Sequence, residues 1–336
     1  MKLSRALISA ASILVSHSIA YALPPTPPPA IQQLQNSQQQ QLQFPSPELR
    51  AGTNAPELYT GENADIGPQR ILRVGGAEKA PRRNYFDLQF DTQIFYSDNA
   101  AFQKADQRVG SWVFVNTVQA AFAPDPYDVG PGKFAPAIGF SSQWYNYNDG
   151  KMAGLDFDAQ TAFVNLRYLL GYWQFNVGGN FTRLLSQGLY NETYQEWLPN
   201  ASAQRALPIN DNMAFIVGDA ISYHFTDVPR FTAARYDVND HFDSTLFVTF
   251  NWQVTPHIVV QPFYRFQYAF FRFDTVAAAA RNDYLNAAGI TLLYNFNQHV
   301  SARAFVSYTT KLSDDQNTPT YDEFNGGIGA MLDVRF

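Results

Sequence analysis

The chain has 336 residues, of which 46% are hydrophobic, 15% are aromatic and only 15% are charged, and its formal net charge is −6. The absence of cysteine excludes disulfides, thiolate metal sites and cysteine catalysis, and the acidic balance argues against nucleic acid as a partner. This length accommodates a large core, or a barrel of about 200–250 residues or more as one domain.

The N-terminus has the pattern of a secretory signal peptide. Lys2 and Arg5 form a positive start, and residues 6–20 are apolar apart from small polar residues and one histidine. Residues 20–22, Ala-Tyr-Ala, give the small-x-small pattern at which such peptides are cleaved. The apolar stretch is too short to span a bilayer as a helix. We therefore predict a signal peptide over residues 1–22, whose removal changes the net charge from −6 to −8 because Lys2 and Arg5 are lost.

Residues 23–83 are predicted to form a disordered periplasmic arm or linker. Five prolines fall within residues 24–29, and residues 38–41 are all glutamine. Such a segment buries too little apolar surface to offset its ordering entropy, and its prolines favour extended polyproline II. Glycine and proline recur over residues 51–83, which are expected to stay irregular. The segment is either a plain tether or an arm that contacts the cell wall, a partner or a barrel lumen.

Residues 84–336 alternate between apolar and polar side chains with a period of two, which is typical of β-strands with one wet and one apolar face. One run has Leu246, Val248, Phe250, Trp252 and Val254 on one face and Thr245, Thr249, Asn251 and Gln253 on the other. The pattern predicts twelve strands, at residues 84–97, 108–123, 134–147, 155–169, 172–185, 189–201, 212–226, 243–255, 257–273, 283–296, 299–310 and 321–336.

These strands are long enough to cross a bilayer, since a tilted membrane strand needs about 9–11 residues. Their apolar faces carry rings that suit the water–lipid interface. The rings are Tyr96, Trp112, Trp144, Trp173, Trp252, Tyr268, Tyr294 and Tyr308. In lipid every backbone polar group needs an internal partner, so the strands must close on themselves. The predicted fold is an all-β, transmembrane antiparallel β-barrel of about twelve strands.

The C-terminal strand carries the sharpest signal. Phe336 is the last residue, and Val334 and Leu332 precede it on the same face. This pattern resembles the C-terminal strand of bacterial outer-membrane β-barrels, which commonly ends in an aromatic residue read by the barrel assembly machinery. The resemblance to these porin-like proteins is one of class and identifies no specific family. It implies a location in the outer membrane of a Gram-negative cell, with outer-membrane lipid and the barrel assembly machinery as partners.

The spacing of the connections supports an even strand number. Short connections follow the predicted even-numbered strands and long polar connections follow the odd-numbered ones, as expected for periplasmic turns and extracellular loops. The sixth strand is the weakest, because Asn191, Glu196 and Pro199 suit a strand poorly. Asp219 shares a parity with apolar residues, and a β-bulge near Gly218 would turn it inward.

Charged residues on the inward parity are the candidate functional residues. Asp87 and Asp91 come from the first strand, and Arg167, Arg265 and Arg303 come from three others. Opposed acids and bases in a lumen would bias the choice of ion or solute. In a narrow barrel the same charges would instead pair and fill the interior.

Three functions remain open. The first is a passive channel for ions or small polar solutes, which needs no cofactor. The second is a closed barrel that acts as a scaffold or binding module through its loops and arm. The third is an outer-membrane hydrolase built on His241 and Ser244, whose odd spacing sends their side chains to opposite faces unless they lie in a loop. Acid pairs such as Asp314-Asp315 show no regular ligand spacing, so no metal site is predicted.

Overall fold

The structure, a computed structural model, describes residues 57–61, 69–73, 85–148, 156–187, 192–210, 212–227, 239–272, 280–297, 299–315, 318 and 320–336. The predicted signal peptide, residues 1–22, and most of the predicted arm lie outside these ranges. Within the arm, Glu57–Gly61 and Gln69–Arg73 pair as an antiparallel hairpin. This hairpin differs from the irregular conformation predicted for residues 51–83.

Twelve long antiparallel strands form the body of the molecule. The first six are β1 (Phe86–Ser97), β2 (Ser111–Phe122), β3 (Gly132–Tyr147), β4 (Phe157–Leu170), β5 (Trp173–Ser186) and β6 (Glu192–Asn210). The other six are β7 (Met213–Asp227), β8 (His241–Thr255), β9 (Ile258–Phe271), β10 (Arg281–Asn295), β11 (Val300–Ser313) and β12 (Tyr321–Arg335). A short strand, Tyr127–Val129, pairs with the start of β3.

Each long strand pairs with its neighbours in the chain, and β12 pairs with β1 to close the barrel. The only described helix is a single 3₁₀ turn, Ala105–Gln107, and none of the described residues form a helix long and apolar enough to cross a membrane. The predicted twelve-stranded antiparallel barrel is therefore confirmed.

The sixth strand is the longest, with 19 residues. Glu196, which suits a strand poorly in the sequence, is buried on the inner face of the barrel, where polar groups belong, and so is Asn200. Pro199 pairs with Gly179 of β5 without breaking the ladder. The strand continues nine residues beyond the predicted end at 201.

Most connections at one end of the barrel are longer than those at the other, as predicted, and 123–131 and 187–191 are the exceptions. We call one end the loop end, because the connections 98–110, 148–156, 187–191, 228–240, 272–280 and 314–320 lie there. The opposite turn end holds the connections 123–131, 171–172, 211–212, 256–257 and 296–299, together with Phe336. At the turn end the backbone of Phe336 exchanges hydrogen bonds with Phe86, which fastens the two ends of the sheet.

The outer face carries an apolar belt edged by aromatic rings. Exposed rings towards the loop end are Tyr96, Trp112, Phe225, Tyr284, Tyr308 and Phe324. Exposed rings towards the turn end are Phe86, Phe122, Trp173, Phe175, Trp252, Tyr294, Phe296 and Phe336. Leu246 and Ile328, which are 55% and 59% exposed, lie between the two sets. A soluble monomer rarely exposes so continuous an apolar surface, whereas a membrane barrel requires one.

The β-bulge predicted near Gly218 is wrong. The pairing of β7 with β6 and with β8 runs without a shift through Gly218 and Asp219. Asp219 therefore shares the outer face with its apolar neighbours, where the Ser244 hydroxyl donates to its carboxylate at 3.4 Å. The regular pairing is needed because Gly218 lies directly opposite Phe247, whose ring covers it.

Four such glycine–phenylalanine pairs brace the inner face. In each, an inward phenylalanine lies against a directly paired glycine on the adjacent strand, through its ring in three pairs and through its Cα and Cβ at Gly327. The pairs are Gly139–Phe163, Gly218–Phe247, Gly289–Phe263 and Gly327–Phe95. A Cβ added at Gly218 would lie 2.5 Å from the Phe247 ring and 2.8 Å from a backbone oxygen. These positions accept no side chain without displacing the ring or the neighbouring strand.

We predict that Gly218→Ala lowers the free energy of unfolding by about 1–3 kcal/mol, because the methyl group overpacks the site. Urea unfolding of the barrel in detergent, followed by tryptophan fluorescence, measures this change. Gly179→Ala is the matched control, since a Cβ there meets its nearest atom at 3.8 Å. Equal stability of the two variants would show that the ring does not require glycine at 218.

Candidate functional site

All five predicted charged residues lie on inward positions of their strands. Asp91, Arg265 and Arg303 are buried within the lumen, whereas Asp87 and Arg167 are half-buried. Asp87 stands at the turn end, one residue after the start of β1. Their effect on the choice of ion or solute stays a prediction.

Arg303 and Asp91 form a buried ion pair that spans two strand spacings. The guanidinium of Arg303 on β11 passes over Gly329 of β12 and reaches the Asp91 carboxylate on β1. Its Nη2 atom donates to Asp91 Oδ1 at 2.8 Å and to Gln93 Oε1 at 3.1 Å. A Cβ at Gly329 would lie 2.9 Å from Arg303 Cζ, so glycine there leaves room for the bridge. The sequence analysis expects acids and bases to face one another in the lumen. Asp91 and Arg303 do so through direct, charge-assisted hydrogen bonds.

Arg265 is different, because no carboxylate is paired with it. Its directly paired neighbours are Phe247 of β8 and Ala287 of β10, and neither accepts a hydrogen bond through its side chain. Within the described residues, Nε and Nη1 of Arg265 have no hydrogen-bond partner. The side chain is only 3% exposed. Arg265 therefore places a cation on the inner wall midway along β9 without a direct ion pair among the described residues, and the charge of Asp243 acts on it without contact.

The loop end of the lumen holds a charged network that the sequence analysis missed. His224 of β7 lies between two carboxylates, with Nδ1 2.5 Å from Glu196 Oε1 and Nε2 2.9 Å from Asp243 Oδ2. His241 of β8 is directly opposite His224, and its Nε2 lies 3.5 Å from the same Asp243 oxygen. All four side chains are buried.

A ladder of stacked groups continues around the wall at the same level. The His224 and His241 rings stack at 4.0 Å, and His241 stacks on Phe271 at 4.4 Å. The guanidinium of Arg281 then lies 3.7 Å from the centre of the Phe271 ring. These four residues are directly paired on β7, β8, β9 and β10, so sheet register builds the ladder.

A second ionic group lies beside this ladder. Asp283 of β10 contacts Lys311 Nζ of β11 at 2.9 Å and Arg281 Nε at 3.3 Å. On β1, Ser97 donates to Glu323 of β12 at 2.6 Å. The wall from β6 to β12 is therefore densely charged near the loop end.

The adjoining wall, from β1 to β6, is mainly apolar at this level, and Tyr194 on it donates a hydrogen bond to Glu196 at 2.9 Å. A buried cluster is formed there by Phe95, Val113, Val115, Tyr145, Phe157, Leu184 and Tyr194. The first loop, residues 98–110, folds onto this cluster and buries Ala100 and Asn99. Asn99 Nδ2 donates to the backbone oxygens of Gln103 and Asp322, which ties the loop to β12.

Phe102 anchors the tip of this loop. It has a φ of 50°, a left-handed conformation that is uncommon for a bulky residue, and its amide donates to the Asn99 carbonyl. Its ring lies 5.1 Å from that of Tyr321 on the inner face of β12. Because such a backbone costs energy, the packing of the ring must hold it in place. The loop thereby covers part of the lumen at the loop end.

The geometry required for the hydrolase hypothesis is absent from β8. His241 and Ser244 both belong to this strand, so His241 faces the lumen while Ser244 faces outward and bonds Asp219. A nucleophile and its base must lie within hydrogen-bond reach. The odd spacing therefore separates the pair, because the region predicted to be a loop is strand from residue 241.

Comparison with known proteins identifies structures of similar fold but assigns the chain to no family. No protein family model and no curated protein matches the chain. An outer membrane channel from Pseudomonas putida F1 is 11% identical, with 77% of this chain and 99% of that chain covered and a TM-score of 0.51. The NanC porin is 10% identical; the match covers 72% of this chain and 98% of the porin, with a TM-score of 0.41. The first comparison confirms that the chain has the fold of bacterial outer-membrane β-barrels.

We predict that Asp91→Ala destabilises the barrel by about 3–5 kcal/mol, because it leaves the Arg303 charge buried beside Gly329. The double variant Asp91→Leu, Arg303→Met should recover most of that loss. Urea unfolding in detergent measures the free energy of unfolding of both variants. Arg108→Ala is the control, since its ion pairs with Asp98 and Asp322 are partly exposed and contribute little to stability. A double variant as unstable as Asp91→Ala would contradict the ion-pair account.

Proposed function

We propose that this chain is an outer-membrane protein that acts as a passive channel for ions or small polar solutes. The observation that carries the proposal is a polar lumen with unmet hydrogen bonds inside an apolar outer belt. Inward atoms without a partner among the described residues include Thr249 Oγ1, Asn251 Nδ2, Gln261 Oε1, Gln267 Oε1 and Ser202 Oγ.

Each such atom would cost about 1–3 kcal/mol if it were sealed away from water. We infer that water held between the inward side chains supplies the missing partners, since each of these atoms is covered by neighbouring side chains. A hydrated lumen through a closed barrel is a path for polar solutes. The same atoms would exchange hydrogen bonds with a passing solute.

Arg265 gives the proposed channel a preference for anions. Asp91 offsets the charge of Arg303, whereas neither residue directly opposite Arg265 is an acid. A unit charge at about 4 Å contributes about 1 kcal/mol in water, and more in a confined lumen. That energy corresponds to about a fivefold change in the local population of an anion.

The second candidate, a closed barrel that serves as a scaffold, is favoured by one observation. The loop of residues 98–110 covers part of the loop end and packs on an apolar wall. If it seals the lumen, current would pass only after it is displaced. Phe102→Ala removes the ring that holds the loop, so it should raise the conductance of a gated channel and leave a sealed scaffold silent.

The terminal strand supports a role in assembly. Leu332, Val334 and Phe336 face the outer surface at the turn end, where Phe336 is 63% exposed. We infer that the barrel assembly machinery recognises this strand before its edge pairs with β1. Outer-membrane lipid then covers the same side chains in the finished barrel.

We predict discrete current steps when the refolded mature protein is added to a planar bilayer, with a reversal potential in a salt gradient that indicates anion preference. Arg265→Gln should move that potential towards the cation side, because it removes a positive charge that has no direct ion pair. Arg183→Gln is the control, since Arg183 is exposed on the outer face and bonds Gln160.

Steps with an unchanged potential would reject the role of Arg265. A silent bilayer with a folded, heat-modifiable barrel, for wild type and for Phe102→Ala, would reject the channel.

A further inference from the structure

The histidine cluster at the loop end has the arrangement of a metal site. His224, His241 and Asp243 each offer one ligand atom, and these atoms all lie within 4.8 Å of one another. Imidazole nitrogen with carboxylate oxygen is a ligand set typical of zinc and related divalent transition metals.

The remaining ring nitrogens are held by acceptors. His241 Nδ1 lies 2.6 Å from the backbone carbonyl oxygen of Asn239, to which it can only donate. His224 Nδ1 lies 2.5 Å from Glu196 Oε1. When the rings are neutral, these contacts place both lone pairs on Nε2. A metal-binding histidine almost always donates its other N–H to a carboxylate or a backbone carbonyl in this way.

The two Nε2 atoms converge on a single carboxylate oxygen. Asp243 Oδ2 is 2.9 Å from Nε2 of His224 and 3.5 Å from Nε2 of His241. Two ligands bound at about 2.0–2.1 Å in a tetrahedral site lie a little over 3 Å apart, so these separations are close to those of a filled site. The second carboxylate, on Glu196, adds negative charge beside the rings.

We propose that His224 Nε2, His241 Nε2 and Asp243 Oδ2 bind one divalent transition-metal ion such as Zn²⁺, with water completing the coordination. Glu196 and the Asn239 carbonyl orient the rings. The rings stack at 4.0 Å with an angle of 8° between their planes, so both must turn about the Cβ–Cγ bond to point at one ion. The ion takes the place of the proton shared by His224 and Asp243, and its binding releases that proton.

The position of the cluster suits an ion that arrives from outside the cell. His224 is near the end of β7 and His241 is the first residue of β8, both at the loop end. The site adjoins the apolar cluster of β1 to β6, since Tyr194 of that cluster donates to Glu196. The proposal concerns metal binding by the folded barrel and does not depend on current through the lumen.

The test is a titration of the refolded, untagged, chelator-treated full-length mature protein with Zn²⁺ by calorimetry, together with Co²⁺ absorption as a report on coordination. Wild type should bind one equivalent with Co²⁺ bands of low coordination number. His241→Phe keeps an aromatic ring between His224 and Phe271 but removes a ligand, and it should abolish the bands. Glu196→Gln should weaken binding about 10- to 100-fold, as loss of an orienting partner does.

His257→Phe is the matched control. His257 also directs Nδ1 at a backbone oxygen, that of Asn295 at 2.8 Å, but it lies in a connection at the turn end. Binding that survives in His257→Phe and is lost in His241→Phe supports the site. Absence of binding to folded wild type, or equal binding by His241→Phe, would overturn it and leave the cluster as a buried ionic network. Heat-modifiable migration on a gel confirms that each variant is folded.

Discussion

Closure of the sheet between β12 and β1 is the constraint on which the rest of the structure depends. Residues 325–335 pair with residues 87–97, so the edge strands gain partners and no long row of backbone groups faces lipid. Closure also divides every strand into one face that meets the bilayer and one that meets the lumen. Polar residues therefore lie inside the barrel. The register of the strands determines which of them are directly opposite one another and can interact.

The period-two pattern was sufficient to predict the strands because closure leaves each of them two dissimilar faces. All twelve were located, including β6, whose acidic and amide residues lie on the wet side. The boundaries were less certain, since the pattern weakens where strands leave the membrane. His241 and Arg281 each start a strand two residues before its predicted beginning. That difference hid the ladder at the loop end, which is built from these terminal residues.

The same alternation placed Asp91, Arg265 and Arg303 on the inner face but could not give their partners. Arg303 reaches Asp91 only because Gly329, on the strand between them, has no side chain in the way. The contact joins residues that are 212 positions apart in the chain. Pairing across a strand requires the register of β11, β12 and β1 together. Asp219 shows another limit: the sequence analysis expects a bulge that turns its carboxylate inward, whereas the regular pairing keeps it on the outer face. The cost of that position is reduced by the Ser244 hydroxyl and not by a change in the backbone.

Register also explains why one arginine in the lumen lacks a direct ion pair while another has one. Arg303 faces glycine on β12, with an acid within reach on the strand beyond, whereas Arg265 is flanked by Phe247 and Ala287. Phe247 cannot easily be exchanged for an acid, since its ring fills the space beside Gly218 that keeps β7 and β8 in regular pairing. The packing that holds the barrel regular therefore excludes a counter-charge at this level of the wall. An anion in the lumen would find at Arg265 the positive charge that the barrel itself leaves without a paired acid.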